Sequence, residues 1–514
     1  MPTSNVNRRE RFLPLQFVFR VDSSPDIGSG HVMRCLTLAN TLCRLGQKCL
    51  FVCRNFPGNF AVRIEKAGYE VRLLSCETGP QDTEWLGVDQ RTDAEETLAV
   101  LEGENADWVI IDHYGIDAEW EIFVGQNLSD AKILVIDDLA NRIHDCDALM
   151  DLSPGRTAND YDKLVKDGTK LYIGLDYALL RPEFSELRKE IGEPGLAPDP
   201  PVEVLVTFGG GVNPEALKAT LEALSELGKA TQFNLVVIGG DKKLVCNCEF
   251  PASVTHIDFT NDMAILIAKS DLMICAAGGT SWERCCLGIP AVVLSVAENQ
   301  ESNAQAIEKK GAGICVEINQ KAILGAIKQL LNDSVFYSNV ARNAWELCDG
   351  KGASRLATEL LAQSMEIVPV TENDAQFVYD ARYSGGVERF YKNPVKPEFE
   401  DHVAWLSKAI LSDVYHLQIV KNGNVQIAHA RLDVDPNDVQ RAEIGIAIAP
   451  EFRGKGLSLA VLTATIDYNA SNGIKIIDAE VHRDNKASLK LFEKAGFTFI
   501  GNKTNKLLHY RLEQ

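Results

Sequence analysis

Between Phe17 and Gly174, short unbroken apolar runs alternate with stretches whose apolar residues recur every third or fourth position. The runs fall at 17–21, 48–53, 71–74, 108–112 and 133–137. Runs without polar alternation belong to strands buried on both faces, so their alternation with helices predicts a parallel, doubly wound α/β sheet. Glu193-Pro194-Gly195-Leu196-Ala197-Pro198-Asp199-Pro200-Pro201 interrupts the series with a stiff stretch unsuited to helix or central strand, and a domain linker is expected there. A second series follows at 202–207, 235–238, 272–275 and 291–294. From Met365 the pattern changes to a helix and then the strands 415–420, 427–432 and 443–448, read as antiparallel. The expected organisation is an extension over 1–16, α/β domains over 17–195 and 196–363, and an α+β domain over 364–514.

Composition narrows the partners. The chain has 514 residues, too many for one core, and its 46% hydrophobic and 24% charged content is that of a folded globular protein. A formal net charge of −20 repels phosphate backbones and anionic lipid, which argues against nucleic acid and membrane surfaces while leaving local sites for anionic small molecules. No run reaches the roughly 18 apolar residues of a membrane span, and the opening residues lack a secretory core. Thirteen scattered cysteines, with Cys285 and Cys286 adjacent, form neither a disulfide framework nor a metal knuckle, which fits reduced thiols in a cytoplasm.

The stretch Val21-Asp22-Ser23-Ser24-Pro25-Asp26-Ile27-Gly28-Ser29-Gly30-His31-Val32-Met33-Arg34 joins a strand to a helix through a glycine turn. Gly28 and Gly30 would let a ligand approach backbone N–H groups, and a helix mouth disfavours a cationic imidazole, which suits His31 to act as a base. A plain β–α turn with a packing histidine is the alternative. The segment resembles the opening motif of the UDP-sugar hydrolases of pseudaminic acid biosynthesis, with Asp22, Ser23, Ser24, Ile27, Gly28, Gly30, His31, Met33 and Arg34 at the matching positions. The resemblance implies that His31 activates the attacking water, that Asp22, Gly28, Gly30 and Arg34 help bind substrate, and that Tyr114, within Asp112-His113-Tyr114, approaches the sugar. Asp112, Asp137-Asp138 and Asp151 sit at strand ends, where aspartates also serve as ordinary caps.

The second series resembles the nucleotide-binding domain of GT-B glycosyltransferases. Phe208-Gly209-Gly210-Gly211, the loop ending in Met263, and Ala277-Gly278-Gly279-Thr280-Ser281-Trp282-Glu283 with Gln300 and Asn303 carry the likeness. Thr280 or Ser281 is expected to cap a helix whose free N–H groups, with Gly279, receive a pyrophosphate, and Glu283 to accept from ribose hydroxyls. The resemblance implies two Rossmann-like domains in GT-B arrangement and UDP-sugar contacts at Gly210, Met263, Gly279, Thr280, Glu283, Gln300 and Asn303. No metal-binding cluster accompanies these segments, so departing UDP is expected to be held by dipoles and hydrogen bonds.

In the last domain Arg453-Gly454-Lys455-Gly456-Leu457-Ser458, with Asn485-Lys486-Ala487-Ser488 and Gly496-Phe497, resembles the acetyl-CoA signature of the GNAT N-acetyltransferases. The backbone of 453–458 would cradle the coenzyme pyrophosphate at a helix N-terminus, with Asn485 and Ser488 contributing. Glu443 is the candidate base for the attacking amine, or else an exposed strand-end glutamate. Phe492 stands where many relatives carry a tyrosine able to protonate the thiolate, so another group or water must serve. His402 and Trp405 share a helix face, a match to acetyltransferases of amino-sugar nucleotides or a packing pair. Taken together, the resemblances imply one chain that acetylates a UDP-4-amino sugar and then hydrolyses the product to UDP and free sugar. An inverting glycosyltransferase, or a hydrolase with a non-catalytic acetyl-CoA sensor, are the alternatives.

Overall fold

Three sheets, each with its own covering helices, organise the computed structural model, which describes residues 14–76, 85–209, 213–246, 253–297 and 300–514. The first contains β1 (Gln16–Val21), β2 (Lys48–Arg54), β3 (Glu70–Leu74), β4 (Trp108–Asp112), β5 (Lys132–Ile136), β6 (Ala148–Asp151) and β7 (Lys170–Ile173). They lie in the order β3-β2-β1-β4-β5-β6-β7, every neighbouring pair parallel. The chain winds outward from β1 to β3 and then returns to the other side of β1. Between β1 and β4 the crossovers therefore diverge, and a crevice opens beyond the carboxyl ends of these two strands. All five residues of β4 are buried because helices cover both faces, the physical origin of its unbroken apolar run.

The second sheet repeats this plan with β8 (Val202–Thr207), β9 (Phe233–Ile238), β10 (Val254–Ile257), β11 (Leu272–Ala276), β12 (Ala291–Leu294) and β13 (Ile314–Val316), in the order β10-β9-β8-β11-β12-β13. Its strands are again parallel, and its switch point lies between β8 and β11. Helix Pro182–Ile191 precedes the proline-rich stretch, yet Phe184 packs into the core of the second sheet beside Leu205, Met273 and Trp282. The change of core therefore comes before the linker that composition marks. Apolar burial, not backbone stiffness, decides which sheet a helix joins.

The third sheet is mixed: β14 (Glu366–Pro369), β15 (Tyr415–Asn422), β16 (Val425–Asp435), β17 (Asp438–Ile448), β18 (Ile476–His482), β19 (Thr498–Asn502) and β20 (Leu507–Glu513). In the order β14-β15-β16-β17-β18-β20-β19, only β17 and β18 run parallel. Their pairing covers Arg441 to Glu443 against Ile476 to Asp478 and stops, although both strands continue. The strands part beyond Glu443, opening a fork in the sheet. Contacts divide the chain into two compact units near Arg355, the parallel sheets in one and the mixed sheet in the other.

Candidate functional site

At the first switch point, Val21 of β1 lies opposite Asp112 of β4, so the helix Gly30–Arg44 that follows β1 brings its first turn onto the Asp112 carboxylate. The Nδ1 of His31 lies 2.6 Å from Asp112 Oδ1. Arg34, one turn further, donates from Nε and Nη2 to the two carboxylate oxygens, each at 2.6 Å, and from Nη1 to Asp138 at 3.0 Å. Burial alone would raise the Asp112 carboxyl, but the Arg34 charge and then His31 hold it well below the usual carboxylate range. An ionised carboxylate only accepts, so Nδ1 of His31 carries a proton, and the neutral imidazole is the tautomer whose free lone pair lies on Nε2. The Tyr114 ring meets His31 edge-on at 4.8 Å and is met in turn by Trp85 at 5.6 Å. Burial, then Asp138, pushes the Tyr114 phenol up, so it is a hydrogen-bonding group at neutral pH.

The other residues of this turn serve differently. Gly28 takes φ +81° and donates to the Ser24 carbonyl at 2.8 Å, a conformation that requires glycine, whereas Gly30 has an ordinary φ and open space around it. Asp22 is buried, with both oxygens held by Arg20 at 2.6 and 2.9 Å and one by the Arg54 amide at 2.6 Å. Arg20 and Arg54 also grip Asp93, which accepts from Trp120 Nε1. The substrate contact expected of Asp22 is thus replaced by a scaffold role: its acceptors are spent inside the fold, where the opposing charges compensate one another.

A cavity of about 380 Å³ lies at the second switch point, lined by Thr207, Gly209, Gly278, Gly279, Thr280 and Gln300. Helix Thr280–Leu287 starts there with no side-chain cap, and the buried Ser281 hydroxyl donates to the Ala276 carbonyl instead. The expected Thr280 or Ser281 cap is therefore absent, because the Ser281 side chain points back into the strand end. Glu283, one turn in, has its carboxyl pushed up to about 7, chiefly by burial, with Arg181 3.6 Å away opposing the shift. Asn303 Nδ2 donates to the Ala277 carbonyl at 2.9 Å, and Gln300 Oε1 accepts from the Val296 amide at 3.2 Å. Both side chains fix the backbone around the cavity. Met263 begins helix Met263–Ala268 and packs against the apolar core, so the expected contact would come from its loop rather than its side chain. Gly210 lies outside the described residues.

In the other unit Glu443 sits at the fork between β17 and β18, on the wall of a cavity of about 510 Å³ that continues past Ile444, Gly445, Ile446 and Ala447. Lys392 Nζ lies 2.8 and 3.2 Å from the Glu443 oxygens and 3.0 Å from Glu480 Oε2. Burial raises the Glu443 carboxyl despite Lys392, whereas Glu480, which also faces Lys503, stays below its ordinary value. His402, Trp405, His429 and Arg382 line the far wall. Burial, helped by the Arg382 charge, pushes His429 down to about 3 and also lowers His402, so both imidazoles are neutral.

The loop 453–458 enters helix Ser458–Ser471, which has no side-chain cap, with Gly454 at φ +74° and Gly456 at +77°. Leu457 is buried at the helix start. The Lys455 ammonium lies over the Phe452 ring at 5.3 Å. Arg453 departs from expectation: its guanidinium donates to the carbonyls of Ile448, Ser384 and Ala381 at 2.7–2.9 Å, so only its backbone remains for a phosphate. Asn485 caps helix Lys486–Lys494 by accepting from the Ser488 amide at 3.2 Å. Phe492 is buried against Phe497.

Residues 204–353 match the glycosyltransferase family 28 C-terminal domain, and 364–498 match the acetyltransferase (GNAT) domain. The chain is a GT-B-type nucleotide-sugar enzyme fused to a GNAT acetyltransferase domain. An uncharacterized protein of Methanocaldococcus jannaschii is 24% identical over 504 residues, covering 93% of this chain and 95% of its own length. The UDP-2,4-diacetamido-2,4,6-trideoxy-beta-L-altropyranose hydrolase of Campylobacter jejuni is 27% identical over 300 residues, 58% of this chain and 97% of the hydrolase. MurG of Acinetobacter baumannii is a similar solved structure at 15% identity and a TM-score of 0.48, covering 67% of this chain and 98% of its own.

Within the GT-B half, local pattern marks Asp112 and Asp138 only as strand-end aspartates and does not mark Arg181. Asp112 gains its meaning from lying beside β1, which strand order alone reveals. Arg181 reaches Glu283 from 102 positions away in the chain, a relation no local pattern announces. In the acetyltransferase domain, Lys392 meets Glu443 and Glu480 across similarly long stretches of chain, which no local pattern marks.

Proposed function

We propose that the GT-B half releases UDP from UDP-2,4-diacetamido-2,4,6-trideoxy-β-L-altrose by attack of water, and that the acetyltransferase domain makes this substrate by acetylating the 4-amine of its precursor. The observation that carries the first step is the Arg34-anchored Asp112 carboxylate, which fixes His31 Nδ1–H and leaves Nε2 as the base. In this reading Nε2 takes a proton from water as its oxygen attacks the anomeric carbon, with inversion, and Tyr114 approaches the sugar. UDP departs toward the uncapped start of helix Thr280–Leu287, where N–H groups and the helix dipole favour an anion, while Glu283 accepts from the ribose. The hydrolase of C. jejuni aligns over 97% of its length, which supports water rather than a sugar or lipid acceptor.

For the second step, acetyl-CoA would lie with its pyrophosphate on the 453–458 backbone and its thioester toward the fork, where Glu443 removes a proton from the attacking amine. Phe492 has no proton to give, so the departing thiolate takes one from water or another group. The test incubates the protein with the UDP-4-amino sugar, with and without acetyl-CoA, and identifies products by mass and NMR. UDP release is expected from the acetylated sugar with no added acceptor, falling roughly 10²–10⁴-fold in His31→Ala while acetyl transfer persists. Near-normal UDP release by His31→Ala would remove His31 from the mechanism, and a strict need for a sugar or lipid acceptor would make the enzyme a glycosyltransferase.

A further inference from the structure

The acetyltransferase cavity holds an amine of its own. Lys392 follows the short helical turn Val387–Phe390 and reaches into the cavity wall, where its ammonium is bracketed by Glu443 on one arm of the fork and Glu480 on the other. Glu443 contacts it through both oxygens. From that point the cavity follows β17 through Ala447, and the chain then turns through Pro450–Phe452 into the loop 453–458. A pantetheine arm held at that loop and lying along β17 would bring its thioester to the same end of the cavity where Lys392 Nζ is held. The lysine side chain is 57% exposed on a flexible stem, so a bound acceptor can displace it.

We propose that Lys392 occupies the place of the acceptor amine and is itself acetylated by acetyl-CoA when no acceptor is bound. The inference rests on the acetyltransferase reading above. In the step, Glu443 takes a proton from the Lys392 ammonium, and the nitrogen lone pair forms an N–C bond with the thioester carbonyl carbon. The C–S bond breaks, and the CoA thiolate takes up a proton as one of the two protons on the attacking nitrogen leaves and the other stays as the amide N–H. One acetyl-CoA and one lysine ammonium thus give Nε-acetyl-lysine, CoA thiol and one proton. Acetylation removes the positive charge between Glu443 and Glu480, leaving the two carboxylates to attract the ammonium of an incoming acceptor more strongly. Lys392 is therefore both a surrogate substrate and a modification site that tunes the acceptor site.

The experiment incubates the full chain with acetyl-CoA alone, follows intact mass, and maps acetyl-lysines by peptide mass spectrometry, with coenzyme binding measured in parallel by calorimetry. Lys392 is expected to gain one acetyl group at least about tenfold faster than any other lysine, a difference in barrier of about 1.4 kcal/mol. That excess should be lost in Glu443→Gln, and Lys392→Arg should show no selective mass gain. If acetyl-CoA binds but Lys392 is labelled no faster than other lysines, or as fast in Glu443→Gln, this inference falls and the acetyltransferase reading survives. Absence of acetyl-CoA binding would overturn both.

Discussion

Replacing Asp112 by Asn tests the His31 dyad at its least exposed point. The carboxylate is fully buried and accepts three hydrogen bonds of 2.6 Å, one from His31 and two from Arg34. An amide of the same shape has one acceptor oxygen, and its NH2 group faces either Arg34 or His31 as a second donor. Arg34 keeps Asp138 at 3.0 Å and is 16% exposed, so its loss is less than the roughly 3–5 kcal/mol of a fully orphaned buried charge and comes to about 2–4 kcal/mol of stability. Turnover should fall roughly 10²–10⁴-fold, because the imidazole loses the partner that fixes its tautomer and orientation. The loss should appear in kcat with little change in KM, since in the proposed mechanism the dyad acts on the attacking water and not on the nucleotide. Asp112 is held ionised below its ordinary range. Wild type therefore gains stability above about pH 4 that fades as pH falls toward the depressed value, and Asp112→Asn should show a flatter acid limb there. UDP release at substrate saturation, with thermal melts across pH 3–7 at roughly unit steps, measures both effects. A folded Asp112→Asn protein with turnover within about threefold of wild type would refute the argument that this carboxylate orients a catalytic base.

Three further outcomes are expected. UDP affinity in wild type should weaken as pH falls through about 7, where Glu283 takes up a proton, and the difference should vanish in Glu283→Gln; titration calorimetry at pH values either side of about 7 measures it. Gly456→Asp should abolish acetyl-CoA binding in equilibrium dialysis, because φ +77° strains any side chain there and the added carboxylate opposes a pyrophosphate, while UDP release from pre-acetylated substrate continues. EDTA should leave UDP release unchanged if N–H groups at the start of helix Thr280–Leu287 hold the leaving group; loss of turnover that Mg²⁺ restores would contradict this account.

Much of the architecture was legible before any coordinate, since unbroken apolar runs mark strands buried on both faces and glycine turns before helices mark where anions approach backbone. The order of elements and the helix starts that follow Gly279 and the Gly454 to Gly456 turn depend on such local rules, and the chain alone determined them. The short strands β6, β7, β10 and β13 carry weaker signals, because three or four residues show little periodicity, and β12, equally short, is marked by its unbroken run Ala291-Val292-Val293-Leu294. What the sequence could not decide is which polar residues face one another. Asp22 sits in the motif but spends its oxygens on Arg20 and Arg54, while Asp112, 81 positions beyond His31, becomes its partner because β4 returns to lie beside β1. Arg453 likewise reads as a phosphate ligand and is tied to three carbonyls, and Lys392, which no motif marks, is held between two carboxylates. Local structure follows from backbone sterics and burial over a few residues, but hydrogen-bond partnership depends on distances that only the folded sheet order sets.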